Sequence, residues 1–337
     1  MLGEAMPECQ PQLHSGIAAF ALRYGNAWIR SRGEWLEAAG VAFTNVLNLR
    51  PPGNRLDALC SSKKEVGNGH YPYPPITRAQ YLRPEFLPEL DRLLAEIEAS
   101  SPNLVVAAGN TACWALLRAT NIGAIRGSVT YSVTQPPVKT LPTYHPAAVL
   151  RQWNWRPIVV ADLMKADREA QFPHIARPER QVLINPTLYE VWDWTRETLA
   201  RPPPLMAVDI ETIWQQIRCI GFARTRGEAL VVPFIDTGHA SGNYWPLPGD
   251  EMRAWDAVRT LLESPIPKLY QNGMYDSQYI LKRGIKICNM QHDTMLLHHS
   301  LFPEMLKGLG FLGSIYTQEQ SWKLLSRPKT DTEKRDE

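Results

Sequence analysis

The chain of 337 residues carries 36 basic and 34 acidic side chains, for a net charge of +2, and 44% of its residues are hydrophobic. These values are ordinary for a folded globular protein and exclude a disordered chain or a coiled coil. No apolar run approaches the ~18–20 residues that cross a bilayer, and no stretch resembles a signal peptide, so we expect a cytoplasmic protein. Because a domain usually takes about 100–200 residues, the length predicts two domains.

Five cysteines are spread widely along the chain, at Cys9, Cys60, Cys113, Cys219 and Cys288. Their spacing contains no Cys-x-x-Cys pair, which zinc ribbons and dithiol redox motifs require. The sequence therefore predicts neither a disulfide framework nor a zinc site.

The first half alternates strand and helix patterns. Strands are predicted at Val41–Leu49, Leu104–Ala108 and Val138–Tyr144, and apolar residues at helical spacing predict a helix over Phe86–Ser100. A second helix follows the middle strand, after a glycine. We interpret residues 1–171 as an α/β domain with a parallel sheet, in which ligands usually lie beyond the carboxyl ends of the strands.

Residues 99–161 contain no acidic side chain, although basic residues occur there at Arg118, Arg126, Lys139, Arg151 and Arg156. One interpretation is a surface that faces a polyanion, because arginine and lysine neutralise phosphates. The other is a set of buried strands and turns with no room for carboxylates. Charge alone leaves both open.

Residues 172–180 contain two prolines and no apolar period, which is typical of an interdomain linker. Beyond it, strands are predicted at Val182–Ile184 and Leu205–Ile210, in the hairpin Cys219–Ala223 with Ala229–Phe234, and at Lys268–Gln271. Helices are predicted at Leu188–Leu199 and Met252–Leu262, and two more helices follow the last strand. This order predicts a mixed sheet flanked by helices, of the ribonuclease H type, over 181–325, followed by a polar tail over 326–337.

Three acidic residues of the second half are spaced for metal binding. Asp209 and Glu211 are two positions apart on one predicted strand, so their side chains share a face of the sheet. Asp276 lies where a strand gives way to a helix, and we expect it to project toward the same sheet edge. Such a cluster suits two divalent ions, which in phosphodiester hydrolysis activate a water and stabilise the departing oxygen.

Four runs of the second half, Met206–Thr212, Cys219–Ala223, Tyr270–Asp276 and His292–Leu297, resemble in order and spacing the proofreading exonuclease domain of family A DNA polymerases. That domain belongs to the DEDD (DnaQ-like) superfamily, and the resemblance covers residues 180–325.

The resemblance implies a 3′→5′ exonuclease in which Asp209, Glu211 and Asp276 are catalytic and hold two Mg²⁺ or Mn²⁺ ions. Thr212 and Asn272 would contact the terminal nucleotide.

The same resemblance also implies an incomplete site. The family's third motif, Tyr-x-x-x-Asp or His-x-x-x-x-Asp, does not follow the second within the chain, and neither Asp331 nor Asp336 has the required partner upstream. We therefore expect either that another polypeptide or a longer reading frame supplies the fourth ligand, or that the chain is a weak or inert nuclease. Asp293 is expected to cap the helix that follows it rather than to bind metal.

Three polar segments of the first half, Gly3–Ala5, Thr44–Asn54 and Thr143–Arg151, are predicted to lie at strand ends. Excision of a base requires an amide that reads its Watson–Crick edge and a donor that stabilises the charge on the leaving pyrimidine. Asn45 offers the amide and His145 the donor. A turn-capping asparagine and a loop histidine are the alternative interpretations.

Together with Leu104–Leu117 and Arg126–Gly127, these segments look like the uracil-DNA glycosylase superfamily, nearest to its family 4 branch, over residues 1–170. The resemblance implies that Asn45 binds uracil and that His145 stabilises the anion. Glu4, Arg126 and Arg151 would contact the nucleic acid, with Glu4 and Ala5 on the sugar side. Leu49 and Leu82 stand where family 4 members hold iron–sulfur cysteines, so no cluster is expected.

Our leading hypothesis is a phage-like DNA replication or repair enzyme that joins a 3′→5′ exonuclease domain to a glycosylase-like DNA-binding domain. It would act in the cytoplasm of a bacterial or phage-infected cell on single-stranded 3′ ends, with a DNA polymerase subunit as a candidate partner and no membrane. A uracil-DNA glycosylase and a non-catalytic DNA-binding module of a split polymerase or exonuclease are the alternatives.

Overall fold

The computed structural model of the chain describes residues 18–22, 41–66 and 71–319. It divides into two compact units: unit 1 comprises Met1–Ala176 with Gly310–Glu337, and unit 2 comprises Arg177–Leu309. Each unit is built on a sheet with flanking helices, which confirms the predicted two-domain α/β fold class. None of the described helices has the length and apolar character that a membrane span requires.

Unit 1 contains a five-stranded sheet in the order β2-β1-β5-β7-β6 and a separate β3-β4 hairpin. The strands are β1 Ala18–Leu22, β2 Val41–Asn45, β3 Cys60–Ser62, β4 Gln80–Leu82, β5 Leu104–Ala108, β6 Thr130–Tyr131 and β7 Lys139–Thr143. The predicted parallel sheet is confirmed only in part: β2, β5 and β7 share one direction, whereas β1 and β6 run antiparallel to them. Among the described strands of unit 1, only β5 and β7 pair in parallel.

Helices cover both faces of the centre of this sheet. They are α1 Leu87–Ser100, α2 Asn110–Leu117, α3 Ile122–Ile125, α4 Pro146–Val149, α5 Arg156–Glu169 and α10 Leu309–Tyr316, of which α10 continues from unit 2. Alternate side chains of β5 enter different cores: Val105 packs with residues of α1 and α2, whereas Val106 packs with residues of β7 and α5. Burial on both faces explains why β5 is apolar throughout.

Two of the basic residues in the acid-free stretch are interior. The Arg126 guanidinium is 3% exposed and forms two hydrogen bonds with Asp162, at 3.0 and 2.5 Å, while the buried Lys139 Nζ lies 3.1 Å from Glu169. Arg151 and Arg156 are exposed. Burial supports the second interpretation for Arg126 and Lys139, and the first stays a prediction for the exposed Arg151 and Arg156.

Residues 310–319 pack in unit 1, although the predicted second domain extends to residue 325. The buried Lys165 Nζ donates hydrogen bonds to the carbonyls of Ser314 at 3.0 Å and Thr317 at 2.6 Å, and the Gln318 amide donates to Glu169 at 2.8 Å. The last carbonyls of a helix have no partner within it. Lys165 satisfies such groups at the end of α10, a role that no local sequence pattern indicates.

Unit 2 contains a mixed six-stranded sheet in the order β13-β12-β9-β10-β11-β8. The strands are β8 Gln181–Leu183, β9 Met206–Ile213, β10 Gln216–Ala223, β11 Glu228–Pro233, β12 Lys268–Tyr270 and β13 Met290–Asp293. The helices are α6 Leu188–Ala200, α7 Pro248–Leu262, α8 Gly273–Lys282 and α9 Thr294–Leu301. β9, β10 and β11 form an antiparallel meander, and β12 pairs in parallel with both β9 and β13.

The alternation of burial along β9 decides which side chains face outward. Met206, Val208 and Ile210 are buried in the core of unit 2, and the residues between them point to the other face. Asp209 and Glu211 are both exposed on that outward face, as their spacing predicts.

We predict that Asp162→Ala destabilises the protein by about 3–5 kcal/mol, because it leaves the buried Arg126 cation without its partner and also removes the acceptor of the Thr143 hydroxyl, 2.7 Å away. The measurement is the free energy of unfolding from urea denaturation. Asp193→Ala is the control, because Asp193 and Arg196 form an exposed ion pair and such pairs contribute at most about 1 kcal/mol. Equal losses in the two variants would contradict the prediction.

Candidate functional site

Two carboxylates stand side by side on the outward face of β9. In the register with β10, Asp209 lies opposite Gly221 and Glu211 lies opposite Cys219. Glycine has no side chain, so the space beside Asp209 stays open, and the Cys219 thiol is the nearest cross-strand neighbour of Glu211. The strand therefore presents negative oxygens with free volume next to them.

Asp276 brings a third carboxylate against the same strand. It lies in the first turn of α8, is 3% exposed, and its Oδ1 accepts a hydrogen bond from the backbone N–H of Ile210 at 3.0 Å. Ile210 is the residue between Asp209 and Glu211. β12 pairs with β9 only as far as Ala207, so Asp276 satisfies a backbone donor that the shorter strand leaves without a partner.

The start of α8 is held in place by Asp293. One carboxylate oxygen of Asp293 accepts hydrogen bonds from the backbone N–H groups of Asn272 at 3.1 Å and Met295 at 2.8 Å, and the other accepts from Gly273 at 2.8 Å. The predicted capping of α9 is confirmed by the bond from Met295. The two further bonds to the start of α8 were not predicted, because they arise from the parallel pairing of β12 with β13.

Gly273 allows the helix to begin close to the sheet. A Cβ at this position would lie 2.6 Å from the Cβ of Tyr270 and would also collide with the end of the Met290 side chain. Asn272, which precedes it, adopts the left-handed conformation with φ of 59°, a conformation that asparagine tolerates better than most residues. The Asn-Gly pair thus permits the tight turn that delivers Asp276.

A hydroxyl pair joins the end of β9 to α8. The side-chain oxygens of Thr212 and Tyr275 are 2.7 Å apart, and the Tyr275 ring remains 42% exposed. Asn272 is exposed at the start of the same helix. The residues predicted to contact a terminal nucleotide therefore border the three carboxylates.

The electrostatics of the carboxylates favour a bound cation. Burial, and then the charge of Asp209, raise the pKa of Asp276 to about 6. Burial, and then the charge of Glu211, raise the pKa of Asp209 above its ordinary value. A divalent ion would reverse both effects by stabilising the ionised forms.

The donor chemistry fits a hard divalent cation, since Mg²⁺ and Mn²⁺ prefer carboxylate oxygens. Across the described residues, however, no three acidic, histidine or cysteine side chains are close enough together to form a ready metal site. The backbones of Asp209, Glu211 and Asp276 are adjacent, whereas their carboxylates do not converge on one point.

The residues predicted to handle a base lie along one edge of the sheet in unit 1. Asn45 ends β2, and in the strand register it shares a row with Ala18, Ala108 and Thr143, two residues before His145. Three strand spacings separate the Asn45 and Thr143 backbones by about 14 Å. That distance prevents direct contact between the two backbones.

His145 is held as a neutral donor. Its Nδ1 accepts a hydrogen bond from the backbone N–H of Ala147 at 3.1 Å, so the proton of the neutral ring is on Nε2. Burial, and then the charge of Arg151, lower the pKa of His145 below its ordinary value of 6.5. A buried imidazole N–H of this kind can donate to a developing anion without itself carrying a charge.

The remaining predicted contacts differ in their placement. Arg151 is exposed near His145, as its predicted contact with nucleic acid requires. The predicted contact of Arg126 with nucleic acid is wrong, because its guanidinium is buried in the ion pair with Asp162 and cannot reach a phosphate without breaking that pair. Glu4 and Ala5 lie outside the described residues.

The sequence did not predict two residues of unit 1 that position the segments around Asn45 and His145. Arg92 of α1 donates to the backbone carbonyl of Asn45 at 2.7 Å and thereby fixes the end of β2. Asp162 holds the Thr143 hydroxyl just before His145. The spacing of Arg92 with Glu89 and Glu96 predicts ion pairs on one helix face, but nothing local indicates its contact with a strand.

Comparison with known protein families gives one match. Residues 10–166 match the family model described as the Uracil DNA glycosylase superfamily. No curated protein sequence matches the chain significantly.

Solved structures similar to the chain include two exonucleases. RNase D of Escherichia coli, an exoribonuclease involved in structured RNA processing, shares 16% identity with a TM-score of 0.31, over 47% of this chain and 40% of its own. The EXD2 exonuclease domain soaked in Mn and dGMP shares 14% identity with a TM-score of 0.25, over 46% of this chain and 81% of its own. The chain thus spans two-fifths of RNase D, and the site assignments rest on the geometry described above.

We predict that His145 titrates below pH 6.5 and that Arg151→Gln raises its pKa while leaving it depressed, because burial is the larger cause. Stability contributed by the neutral ring is complete above the unfolded pKa and is lost as the pH falls through 6.5 toward the folded pKa. The measurement is a ¹⁵N–¹H NMR titration, which also reports the proton on Nε2. Arg156→Gln is the control, and an unshifted His145 in wild type would contradict the prediction.

Proposed function

We propose that the chain is a DNA-processing protein whose unit 2 is a metal-dependent 3′→5′ exonuclease acting on single-stranded 3′ ends. The observation that carries the proposal is the hydrogen bond from Ile210 N–H to Asp276. It sets the third carboxylate of a DEDD-like motif set against the strand that bears Asp209 and Glu211.

In this proposal Asp209, Glu211 and Asp276 hold two Mg²⁺ or Mn²⁺ ions. When bound, the ions supply an activated water and stabilise the departing 3′ oxygen. The hydrogen-bonded hydroxyl groups of Thr212 and Tyr275 lie beside the carboxylates, where they would orient a terminal nucleotide. Asp293 keeps α8, and therefore Asp276, at the strand during these events.

We predict that the protein shortens a 5′-labelled single strand stepwise in Mg²⁺ or Mn²⁺, and that EDTA abolishes the reaction. Asp209→Ala should lower the rate at least about 100-fold, since loss even of a group that only supports a metal ligand costs 10–100-fold. Gel electrophoresis of the products gives the rate. A parallel calorimetric titration with Mn²⁺ should show weaker binding in the same variant.

Asp256→Ala is the matched control, because Asp256 is an exposed acid on α7 outside the carboxylate site. The assay has a second arm with a DNA polymerase added, since a fourth acidic group from such a partner is part of the hypothesis. Absence of shortening in both arms, or equal rates for Asp209→Ala and Asp256→Ala, would rule out the exonuclease.

We propose uracil excision by unit 1 as a second candidate function. It is favoured by the neutral His145 ring with its proton on Nε2, at the same sheet edge as Asn45, and by the family match over residues 10–166. Asn45 would read the base and His145 would stabilise the leaving pyrimidine anion.

We predict alkali-labile sites in uracil-containing DNA, but not in thymine-containing DNA, after incubation in EDTA, where a metal-dependent nuclease is silent. His145→Ala should reduce their formation about 100-fold, the usual effect of removing one anion-stabilising donor. His292→Ala, which changes an exposed histidine of unit 2, should have no effect. Uracil-independent cleavage would refute excision and leave the exonuclease proposal untouched.

A further inference from the structure

An exposed tryptophan stands next to the His145 segment, where neither proposed reaction uses it. Trp153 is 66% exposed and begins a 3-10 helix, Trp153–Trp155, between α4 and α5. An exposed indole offers a flat apolar face and an N–H donor to a binding partner. The residues around Trp153 indicate which kind of partner it would bind.

The surroundings of Trp153 are basic and polar. Gln152 and Asn154 on either side are exposed, and so are Arg151 and Arg156. The Arg156 guanidinium carbon lies 5.4 Å from the centre of the Trp153 ring, so a cation and an aromatic face are presented together. Residues 99–161 contain no acidic side chain that would repel a polyanion here.

An aromatic stack also links this 3-10 helix to the sheet edge of unit 1 that carries Asn45 and His145. Trp155 stacks on Tyr144 with ring centres 4.2 Å apart and an angle of 14° between the planes. Tyr144 directly precedes His145 in the chain. The stack therefore anchors the 3-10 helix that carries Trp153 to the residue before His145.

We infer that Trp153 and Arg156 form a stacking platform for single-stranded DNA, in which an unpaired base lies on the indole and the guanidinium contacts the neighbouring phosphate. Aromatic stacking combined with a basic groove is the general way in which proteins bind single strands without reading sequence. A protein partner would be expected to meet a larger apolar patch with fewer flanking charges. The inference depends on the surface of unit 1 alone and not on the carboxylates of unit 2.

The chain offers a matched control in unit 2. Tyr189 is 72% exposed, and the Arg196 guanidinium carbon lies 6.0 Å from its ring centre. Arg196 is already paired with Asp193 at 3.2 Å, so its charge is neutralised locally. The Tyr189–Arg196 pair reproduces the geometry without the positive potential, and it should not bind a polyanion.

The test is fluorescence anisotropy of a labelled oligothymidylate of about twelve nucleotides, with the full chain in EDTA. Trp153→Ala should weaken binding about tenfold, equivalent to about 1.4 kcal/mol, and Trp153→Phe should restore most of it. The slope of log affinity against log salt should stay unchanged in Trp153→Ala, because no charge is lost. In Arg156→Gln the slope should fall by about 0.7, the value for one phosphate contact on a single strand.

A second probe separates stacking from a structural effect. An abasic deoxyribose-phosphate oligomer of the same length carries the charges but no bases, so Trp153→Ala should bind it as wild type does. Tyr189→Ala should leave both affinities unchanged. Unaltered binding of oligothymidylate by Trp153→Ala, or an equal loss on both oligomers, would overturn the inference.

Discussion

The candidate site in unit 2 depends on one constraint: the carboxylate of Asp276 is tied to the backbone of β9 between two other carboxylates. Left to itself, a buried acid would turn away from like charges toward water. The Ile210 N–H and the capping of α8 by Asp293 prevent this movement. The resulting repulsion is visible in the pKa of Asp276, raised to about 6 by burial and by Asp209. A cation bound beside these carboxylates would relieve that repulsion.

The two units place some of their buried charges differently. Unit 1 buries two complementary pairs, Arg126 with Asp162 and Lys139 with Glu169, each joined by hydrogen bonds. Buried pairs of this kind hold neighbouring segments in register but leave no net charge to attract a ligand. Unit 2 instead places acids near one another without a basic partner in the same contacts. Burial in an ion pair therefore removes Arg126 from the candidate nucleic-acid contacts, whereas burial beside Asp209 raises the pKa of Asp276.

The sequence predicted the features that depend on local pattern. The apolar run Leu104–Ala108 is a strand with those same bounds, and the spacing of Asp209 and Glu211 placed both on one face, because side-chain alternation is a property of any strand. Long-range choices were not predictable. The insertion of β1 between β2 and β5, antiparallel to both, makes the expected parallel sheet a mixed one. Likewise, the contact of Lys165 with the end of α10 joins residues about 150 positions apart, which no period or motif encodes.

The chemistry of the two units separates according to what part of a nucleic acid each could contact. A neutral histidine donor and an exposed indole suit bases, because a base offers a flat face and a leaving ring whose charge is delocalised. Clustered carboxylates suit the phosphodiester, whose charge repels them unless cations intervene. A chain that both excised bases and cleaved phosphodiester bonds would need divalent ions only for the cleavage, since neither Nε2 of His145 nor the Trp153 ring requires a metal to act. Metal dependence is therefore the property that assigns any observed activity to one unit or the other.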